Sequence, residues 1–502
     1  MNFELPAFRR ARLSRDARFD GRFFVGVRTT GIYCRPICPA PAPLEKNVRY
    51  FASAAAAADA GLRPCLRCRP ESAPGPPAWT GTSATLSRAL RLIGDGALDD
   101  RSVDDLAARL GVTARHVRRL FLSHLGATPL DVARMRRAQF AKKLIDETNL
   151  PFADVALASG FGSIRRFNGV IHATHARTPT ALRARRARRE VLADVPGEHV
   201  LRLAFRAPLD WPALLGFLRG RATPGVEVVD AQSYRRLVAV GESVGEIDVR
   251  RAAQGDVLEA RLRGCEPRAL LPIVERIRRV LDLDADPASI NAHLRSDPML
   301  APLVRRHPGL RVPGAWDGFE VAVRAILGQQ VSVKAATTLA GRLASQFGTR
   351  VEGFAGLTHL SPTPAQLADA GIEKTGVVSA RARAIRHLAC AVADGTIRLD
   401  GAHADLETAL DALRALPGIG DWTAQYIAMR AFSEPDAFPS GDLVLRRVMG
   451  LKSQRDMTQR AEAWRPWRAY AAMHLWRGSA DDEAASLIKQ TRLKLEQGIV
   501  GP

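Results

Sequence analysis

The stretch ALPGIGDWTAQYIAMR, residues 415–430, decides how the C-terminal half of the chain folds. Pro417, Gly418 and Gly420 predict a tight hairpin between two helices. Glycine has no Cβ, so the backbone N–H groups of such a turn can come close to a phosphate. An ordinary helix–helix turn fits the same residues. Trp422 and Tyr426 are four apart and share one helix face. Further on, in FPSGDLVLRR, stands Asp442. An aromatic pair facing an acid suits a pocket that stacks a base and stabilises positive charge on its sugar. Taken singly, core packing explains the aromatics and a helix N-cap explains Asp442.

Outward from this stretch, residues 311–497 read as long amphipathic helical patterns broken by Gly and Pro, starting at RVPGAW. Before them, residues 197–310 open with the strand-like alternation EHVLRLAFRAPLDW. The Arg-rich helical text RTPTALRARRARRE closes a unit at 84–187, and SAPGPPAWTGTS, 72–83, reads as a linker from a unit at 1–75. Four units agree with the three or four domains expected from 502 residues. The alanine run at 54–58 is the one low-complexity block, and no fixed-period repeat occurs.

VDDLAARLGVTARHVRRLFLSHLG, 103–126, predicts a helix-turn-helix, with Asp104 capping the first helix, Gly111 at the turn and Thr113 capping the second. The second helix projects Arg115, Arg118 and Arg119. The pattern repeats in PFADVALASGFGSIRRFNGVIHATHARTPTAL, with Gly160 at the turn and Ser163 starting a helix that carries Arg165 and Arg166. A connecting helix, DVARMRRAQFAKKLIDET, lies between them. Such arginines read base edges or hold phosphates; exposed arginines on a helix are equally a solvated face.

At the other end of the chain, YCRPICP at 33–39 and RPCLRC at 63–68 place Cys34, Cys38, Cys65 and Cys68 in two close pairs. Four thiolates suit one tetrahedral zinc, which would help so short a unit to fold. The site can be a closed structural ribbon, or one whose sulfur reacts. Four thiolates on a zinc dication leave two net negative charges, which makes a ligand sulfur electron-rich. Arg35, Arg63, Arg67 and Arg69 can hold a DNA backbone against it. Alkylating one thiolate removes one negative charge and weakens repulsion from phosphates. Cys265 and Cys390 lack partner spacing and read as packed thiols.

The bulk composition agrees. A formal net charge of +21 favours a polyanionic partner. No apolar run is long enough to span a bilayer, and MNFELPAFRRARLSRDARFD has no secretory apolar core. The expectation is a cytoplasmic, nucleoid-associated protein with no membrane partner, in a reducing compartment where clustered cysteines bind metal.

Three family resemblances follow. FVGVRTTGIYCRPICPAPAPLEKNVRYF with ADAGLRPCLRC resembles the zinc domain of the Ada adaptive-response family. That resemblance implies one Zn2+ on the four cysteines, with Cys34 as the irreversible acceptor of a methyl group from a DNA methylphosphotriester. Residues 84–185 resemble an AraC-type DNA-binding domain, including Gly160-Phe161, Phe167 and Thr178-Pro179. They imply promoter DNA and RNA polymerase as partners.

Residues 197–495 resemble AlkA-type 3-methyladenine DNA glycosylases of the helix-hairpin-helix superfamily, on FEVAVRAILGQQVSVKAATTLAGRL, LPGIGDWTAQYIAMR, DAFPSGDLVLRR and AWRPWRAYAAMHLW. They imply Asp442 as catalytic carboxylate and Trp422, Tyr426 and Trp476 as pocket aromatics. Pro417, Gly418, Gly420 and Gln330 are the DNA contacts so implied.

The fold expected is multidomain, mainly α with α+β parts: a four-cysteine zinc domain, a double helix-turn-helix, a TBP-like α/β domain and an all-α glycosylase bundle. Trp422 occupies the place where bifunctional members carry a Schiff-base lysine, so a monofunctional hydrolase acting on alkylated bases is expected. No cysteine cluster follows the bundle, so no iron–sulfur cluster is expected. Gln330 stands where the best-known AlkA-type enzyme has a leucine wedge. The PCHR motif of an O6-alkylguanine methyltransferase does not occur, and the glycosylase stands in its place. The expected function is methylation sensing, transcriptional regulation and base excision in one chain. The alternative is a regulator with a weak or degenerate glycosylase half.

Overall fold

The computed structural model describes residues 5–74, 84–186, 197–400 and 405–481. Most of the linker at 72–83 and the end of the 311–497 unit lie outside them.

The front unit is built on a four-stranded sheet in the order Val48–Phe51, Phe24–Val27, Ile32–Cys34, Arg63–Pro64. Its last pair is parallel and the others antiparallel. Tyr33 is fully buried and meets Phe24 edge-on. The alanine run forms a short buried helix, Ala54–Asp59, capped by Ser53. Its small side chains let it pack closely with Ala127 and Met135 of the next unit.

That next unit comprises seven helices, from Ala84–Gly94 to Pro179–Ala184. Thr113 and Ser163 cap their helices as the sequence predicts. The helix Val103–Arg109 is capped by Ser102 in a capping box with Asp105, not by Asp104. The Ser102 hydroxyl, two residues before Asp104, accepts the Asp105 N–H, and Asp104 falls inside the first turn. Gly111 and Gly160 take φ of +65° and +74°, the left-handed turn that favours glycine.

The first helix-turn-helix has its own core around Leu92, Leu106 and Phe121. The second does not. Phe140, Leu144, Phe167 and Ile171 share one core with Leu201, Leu203, Ile247 and Leu258 of the sheet that follows. That sheet is five-stranded and antiparallel, in the order Glu198–Ala204, Val257–Arg263, Ser243–Arg251, Ser233–Val240, Glu227–Val229. Helices Trp211–Arg221 and Leu270–Val280 cover it.

The C-terminal bundle packs Phe319, Ile326, Leu343, Ile385, Leu413, Ile427 and Trp464 into the largest core. Ile290, Leu294 and Val304, which precede residue 311, belong to that same core. Among the described residues the bundle is helical as expected, with one addition: a hairpin of Arg350–Phe354 and Leu357–His359. Gly353 and Gly356, at φ +94° and +76°, permit its turn, and Leu357 bridges to Gly225 of the α/β unit.

Candidate active site and metal centre

The hairpin at 416–420 starts as the helix Leu406–Arg414 ends, and its buried Ile419 anchors it to the bundle. Gly418 has φ +87°, and a Cβ there would stand 2.6 Å from the Cβ of Ala384. Its glycine is required by backbone and packing together. Gly420 is extended, at φ −89°, and caps the helix Asp421–Arg430. A Cβ at Gly420 would meet nothing, so its glycine serves the open side of the turn. Pro417, Gly418 and Gly420 are all exposed.

From this helix Trp422 and Tyr426 stack, with centroids 5.3 Å apart and planes at 14°. Trp476 leans on Tyr426 at 6.5 Å. Asp442 receives the indole N–H of Trp422 on Oδ2 and that of Trp476 on Oδ1, both at 3.0 Å. Oδ1 also accepts the backbone N–H groups of Val444 and Leu445 at 3.0 Å, so Asp442 caps the helix Leu443–Met449. The aromatic-pocket reading and the N-cap reading of Asp442 thus describe one carboxylate, oriented by four N–H donors.

These residues line a cleft of about 1040 Å³ between the bundle and the α/β unit. Sequence reasoning missed its cationic floor. Arg430 donates to the Tyr426 hydroxyl at 2.9 Å and is itself held by Gly314 O at 3.0 Å. Arg221, whose guanidinium lies 3.8 Å from the Phe217 ring centroid, and Arg324 complete it. Burial alone would raise the Tyr426 phenol, but Arg430 and Arg221 outweigh it and bring the group down to about 8. Arg430 had a local signal, four residues after Tyr426; Arg221 had none. Gln330 sits exposed at the mouth of the cleft, with φ +54°.

In the front unit the Sγ atoms of Cys34, Cys38, Cys65 and Cys68 lie within 4.8 Å of one another. The sheet brings them together: Cys34 ends its strand, and Cys65 donates its N–H to Tyr33 O at 2.9 Å. Arg35 N–H points at Cys68 Sγ, 3.3 Å away. Hydrogen bonding among the thiols pulls Cys38 down to about 7, and holds Cys65 low and Cys34 and Cys68 high. Four sulfurs this close, contending for protons, form a donor set that fits a zinc dication, which would replace those protons.

The arginines around the cysteines divide. Arg63 and Arg67 are exposed. Arg35 and Arg69 are spent inside the protein, against the expectation that all four face DNA. Arg35 binds Asp20 at 2.9 Å and Cys68 O at 3.1 Å. Arg69 binds Asp146 at 2.8 Å.

In the helix-turn-helix unit Arg115, Arg118, Arg119, Arg165 and Arg166 are all exposed, opposite the buried Val117, Phe121, Phe167 and Ile171. Cys265 is buried as expected, but Cys390 is exposed, on the outer side of its helix, where Leu388 and Ala389 take the inner one.

Four family models match in succession: the metal binding domain of Ada at 7–71, a helix-turn-helix domain at 106–185, the AlkA N-terminal domain at 200–317, and the HhH-GPD superfamily of base excision DNA repair proteins at 323–467. The chain is 46% identical over 473 residues to a Mycobacterium tuberculosis protein named "Probable bifunctional transcriptional activator/DNA repair enzyme AlkA", covering 93% of this chain and 95% of that one. It is 37% identical to the Escherichia coli protein named "DNA-3-methyladenine glycosylase 2", covering 56% of this chain and 99% of that one. Among solved structures, a 3-methyladenine DNA-glycosylase from Archaeoglobus fulgidus shares the fold of the rear half, with a TM-score of 0.50 at 22% identity, over 56% of this chain and 98% of that one.

Proposed function

The chain belongs to the family of bifunctional transcriptional activator/DNA repair AlkA proteins, and from that premise we propose that it joins alkylation sensing on double-stranded DNA to excision of alkylated bases. The domains would be 1–75, zinc and methyl acceptor; 84–187, promoter binding; 197–310 and 311–497, glycosylase.

The observation that carries the rear half is the Asp442 carboxylate, held by two indoles beside the Trp422–Tyr426 stack, one turn from the exposed hairpin. The N–H groups of Gly418 and Gly420 hold a backbone phosphate, while that of Ile419 is spent on Leu416 O. The nucleotide is extruded into the cleft at a cost of a few kcal/mol. The damaged base stacks against Trp422, Tyr426 and Trp476. An alkylated purine is cationic and already a good leaving group. As the N-glycosidic bond lengthens, positive charge grows on the sugar, and the Asp442 carboxylate stabilises it and positions the attacking water. No lysine stands at position 422, so the reaction ends at the abasic site. Exposed Arg115, Arg118, Arg119, Arg165 and Arg166 support DNA binding by the regulatory unit.

In the front half zinc, when bound, would hold four thiolates with an excess of negative charge. Cys34 sulfur attacks the methyl carbon of a methylphosphotriester, the carbon–oxygen bond breaks, and the DNA is left as a phosphodiester anion. The Cys34 thiolate becomes a neutral thioether, so the front unit carries one negative charge fewer, which strengthens promoter binding and recruitment of RNA polymerase. Base release from methylated DNA by the purified protein tests the rear half. Promoter affinity before and after exposure to methylated DNA, with and without Cys34→Ala, tests the front.

A further inference from the structure

The unit at 84–187 holds the glycosylase half from behind its cleft. Its first helix, Ala84–Gly94, turns Leu86, Ala89, Leu92 and Ile93 toward its own core. Arg91 leaves that helix on another side and reaches the far end of Asp421–Arg430, the helix that carries Trp422 and Tyr426. There its guanidinium donates to Ala431 O at 2.5 Å and to Phe432 O. A helix leaves its last carbonyls without intrahelical partners, and here the chain turns away at once through Ser433, φ +52°. Burial brings Arg91 down to about 10, so it stays charged at neutral pH. A cation at that place meets the negative end of the helix dipole. Two ion pairs hold the same unit on either side, Asp95 with Arg279 at 2.7 Å and Arg109 with Asp400 at 3.0 Å.

The contact fixes the last turn of the pocket helix. Arg430, next to Ala431, donates to the Tyr426 hydroxyl at 2.9 Å and to Gly314 O at 3.0 Å. Tyr426 is the ring on which Trp422 stacks, and Trp422 in turn aims the Asp442 carboxylate. We propose that Arg91 is a positioning residue of the excision site, so that the regulatory unit supplies a working part of the glycosylase. This rests on the glycosylase reading above. Arg91 touches neither base nor sugar. It holds the C-terminal end of the pocket helix, the hairpin holds the N-terminal end on DNA, and Tyr426 lies between the two.

The test is single-turnover release of 7-methylguanine from duplex DNA with the full chain in excess, for wild type, Arg91→Met, Arg91→Lys and Arg109→Met. Protein excess separates two effects. A variant that is merely unstable has fewer working molecules, which raises the half-saturating concentration and leaves the maximal rate alone. A misplaced pocket helix lowers the maximal rate itself. Arg91→Met keeps the stem and loses the charge and both donors, so the maximal rate should fall by about ten- to a hundredfold, with the half-saturating concentration within about twofold. Arg91→Lys keeps a cation at the helix end and should recover part of the loss. Arg109→Met loosens the same unit without touching the helix end and should keep the wild-type maximal rate. Should Arg91→Met fail to fold, Arg91→Gln, neutral with one amide donor, takes its place with the same fall expected. If the neutral variant keeps the wild-type maximal rate, if Arg91→Lys recovers nothing, or if Arg109→Met falls as far, the inference is overturned and the glycosylase reading stands. If wild type releases no base, the glycosylase reading fails and takes this inference with it.

Discussion

Trp422 and Asp442 are joined side chain to side chain, the indole N–H reaching Oδ2 at 3.0 Å, while the same ring stacks on Tyr426. One residue therefore both builds the aromatic wall and aims the carboxylate. Asp442→Asn keeps the shape and a competent N-cap but removes the charge. Base release should fall by at least about 100-fold, the usual scale for losing a charge-stabilising group. Zinc content, melting temperature and affinity for undamaged duplex should hold. A drop of only a few-fold would remove Asp442 from the chemistry.

Trp422→Phe separates the two duties of the indole, since phenylalanine keeps a ring for Tyr426 and loses the N–H. A hydrogen bond to a charged group is worth about 1.5–3 kcal/mol, so release should slow by about 10- to 100-fold. If the N–H serves mainly to position Asp442, kcat should fall and KM should change little. An equal fall on Trp422→Ala and Trp422→Phe would show that the hydrogen bond carries the effect; a much larger fall on Ala assigns it to the ring.

Part of this site was legible because its residues are close in sequence or fixed by short-range rules, whereas Trp476 entered only through the family resemblance. The i,i+4 pair Trp422/Tyr426, the glycine turn and the cysteine spacing each need only local geometry. What could not be read is what the fold brings from afar. Arg221 reaches Tyr426 from a helix two hundred residues upstream. Arg69, expected to face DNA, turns inward because Asp146 and Glu147 lie there on another unit's helix. The cap on Val103–Arg109 was misplaced by two residues because Ser102 and Asp105 cooperate, and neither alone outcompetes Asp104 in the text.

Metal removal gives the next expectation. Cys34 ends one strand of the front sheet and Cys65 follows the strand beside it, so the sulfurs tie these two neighbouring strands together. Cys65→Ala or chelation should release the zinc, open residues 5–74 to protease, and leave base release in the rear half within a few-fold. Elemental analysis with limited proteolysis checks this. A chelated protein whose front unit stayed as resistant as the holo form would show that its core suffices without metal.

Arg69 sits in a buried charge cluster that joins three units. It follows Cys68, has φ +52°, and binds Asp146 at 2.8 Å and Glu71 at 3.4 Å. Lys143 binds Glu147 at 2.9 Å, and Glu147 in turn accepts the Arg202 N–H of the sheet at 3.0 Å. Removing one partner from a buried cluster leaves an uncompensated charge, at a cost of about 3–5 kcal/mol. Arg69→Met should therefore speed hydrogen exchange both in the Pro129–Glu147 helix and in the Glu198–Ala204 strand. Exchange that quickens in the zinc unit alone would mean the cluster does not couple them.

The last expectation concerns acid. His175 is 7% exposed, and neither ring nitrogen has a hydrogen-bond partner among the described residues. Burial, helped by Lys142, brings it down to about 4, and burial does the same to His474. Both are neutral in the folded protein and near 6.5 when unfolded, so the unfolded chain binds more protons as pH falls. Their contribution to stability is present above about pH 6.5 and is lost as pH drops toward 4, at about 2 kcal/mol for one such histidine between pH 7 and pH 5. Glu434, raised by burial to about 7, works in the opposite sense, losing stability as pH climbs from its unfolded value toward 7. The wild-type profile is thus a difference, and a variant isolates one part of it. His175→Phe fills the same buried site, beside Lys142 and Asp146, and gives up no hydrogen bond. Its stability should change less between pH 7 and pH 5 than the wild type's, with the gap closing above pH 7. Parallel denaturation profiles across that range would mean that His175 is already charged, or free to reach water, in the folded protein.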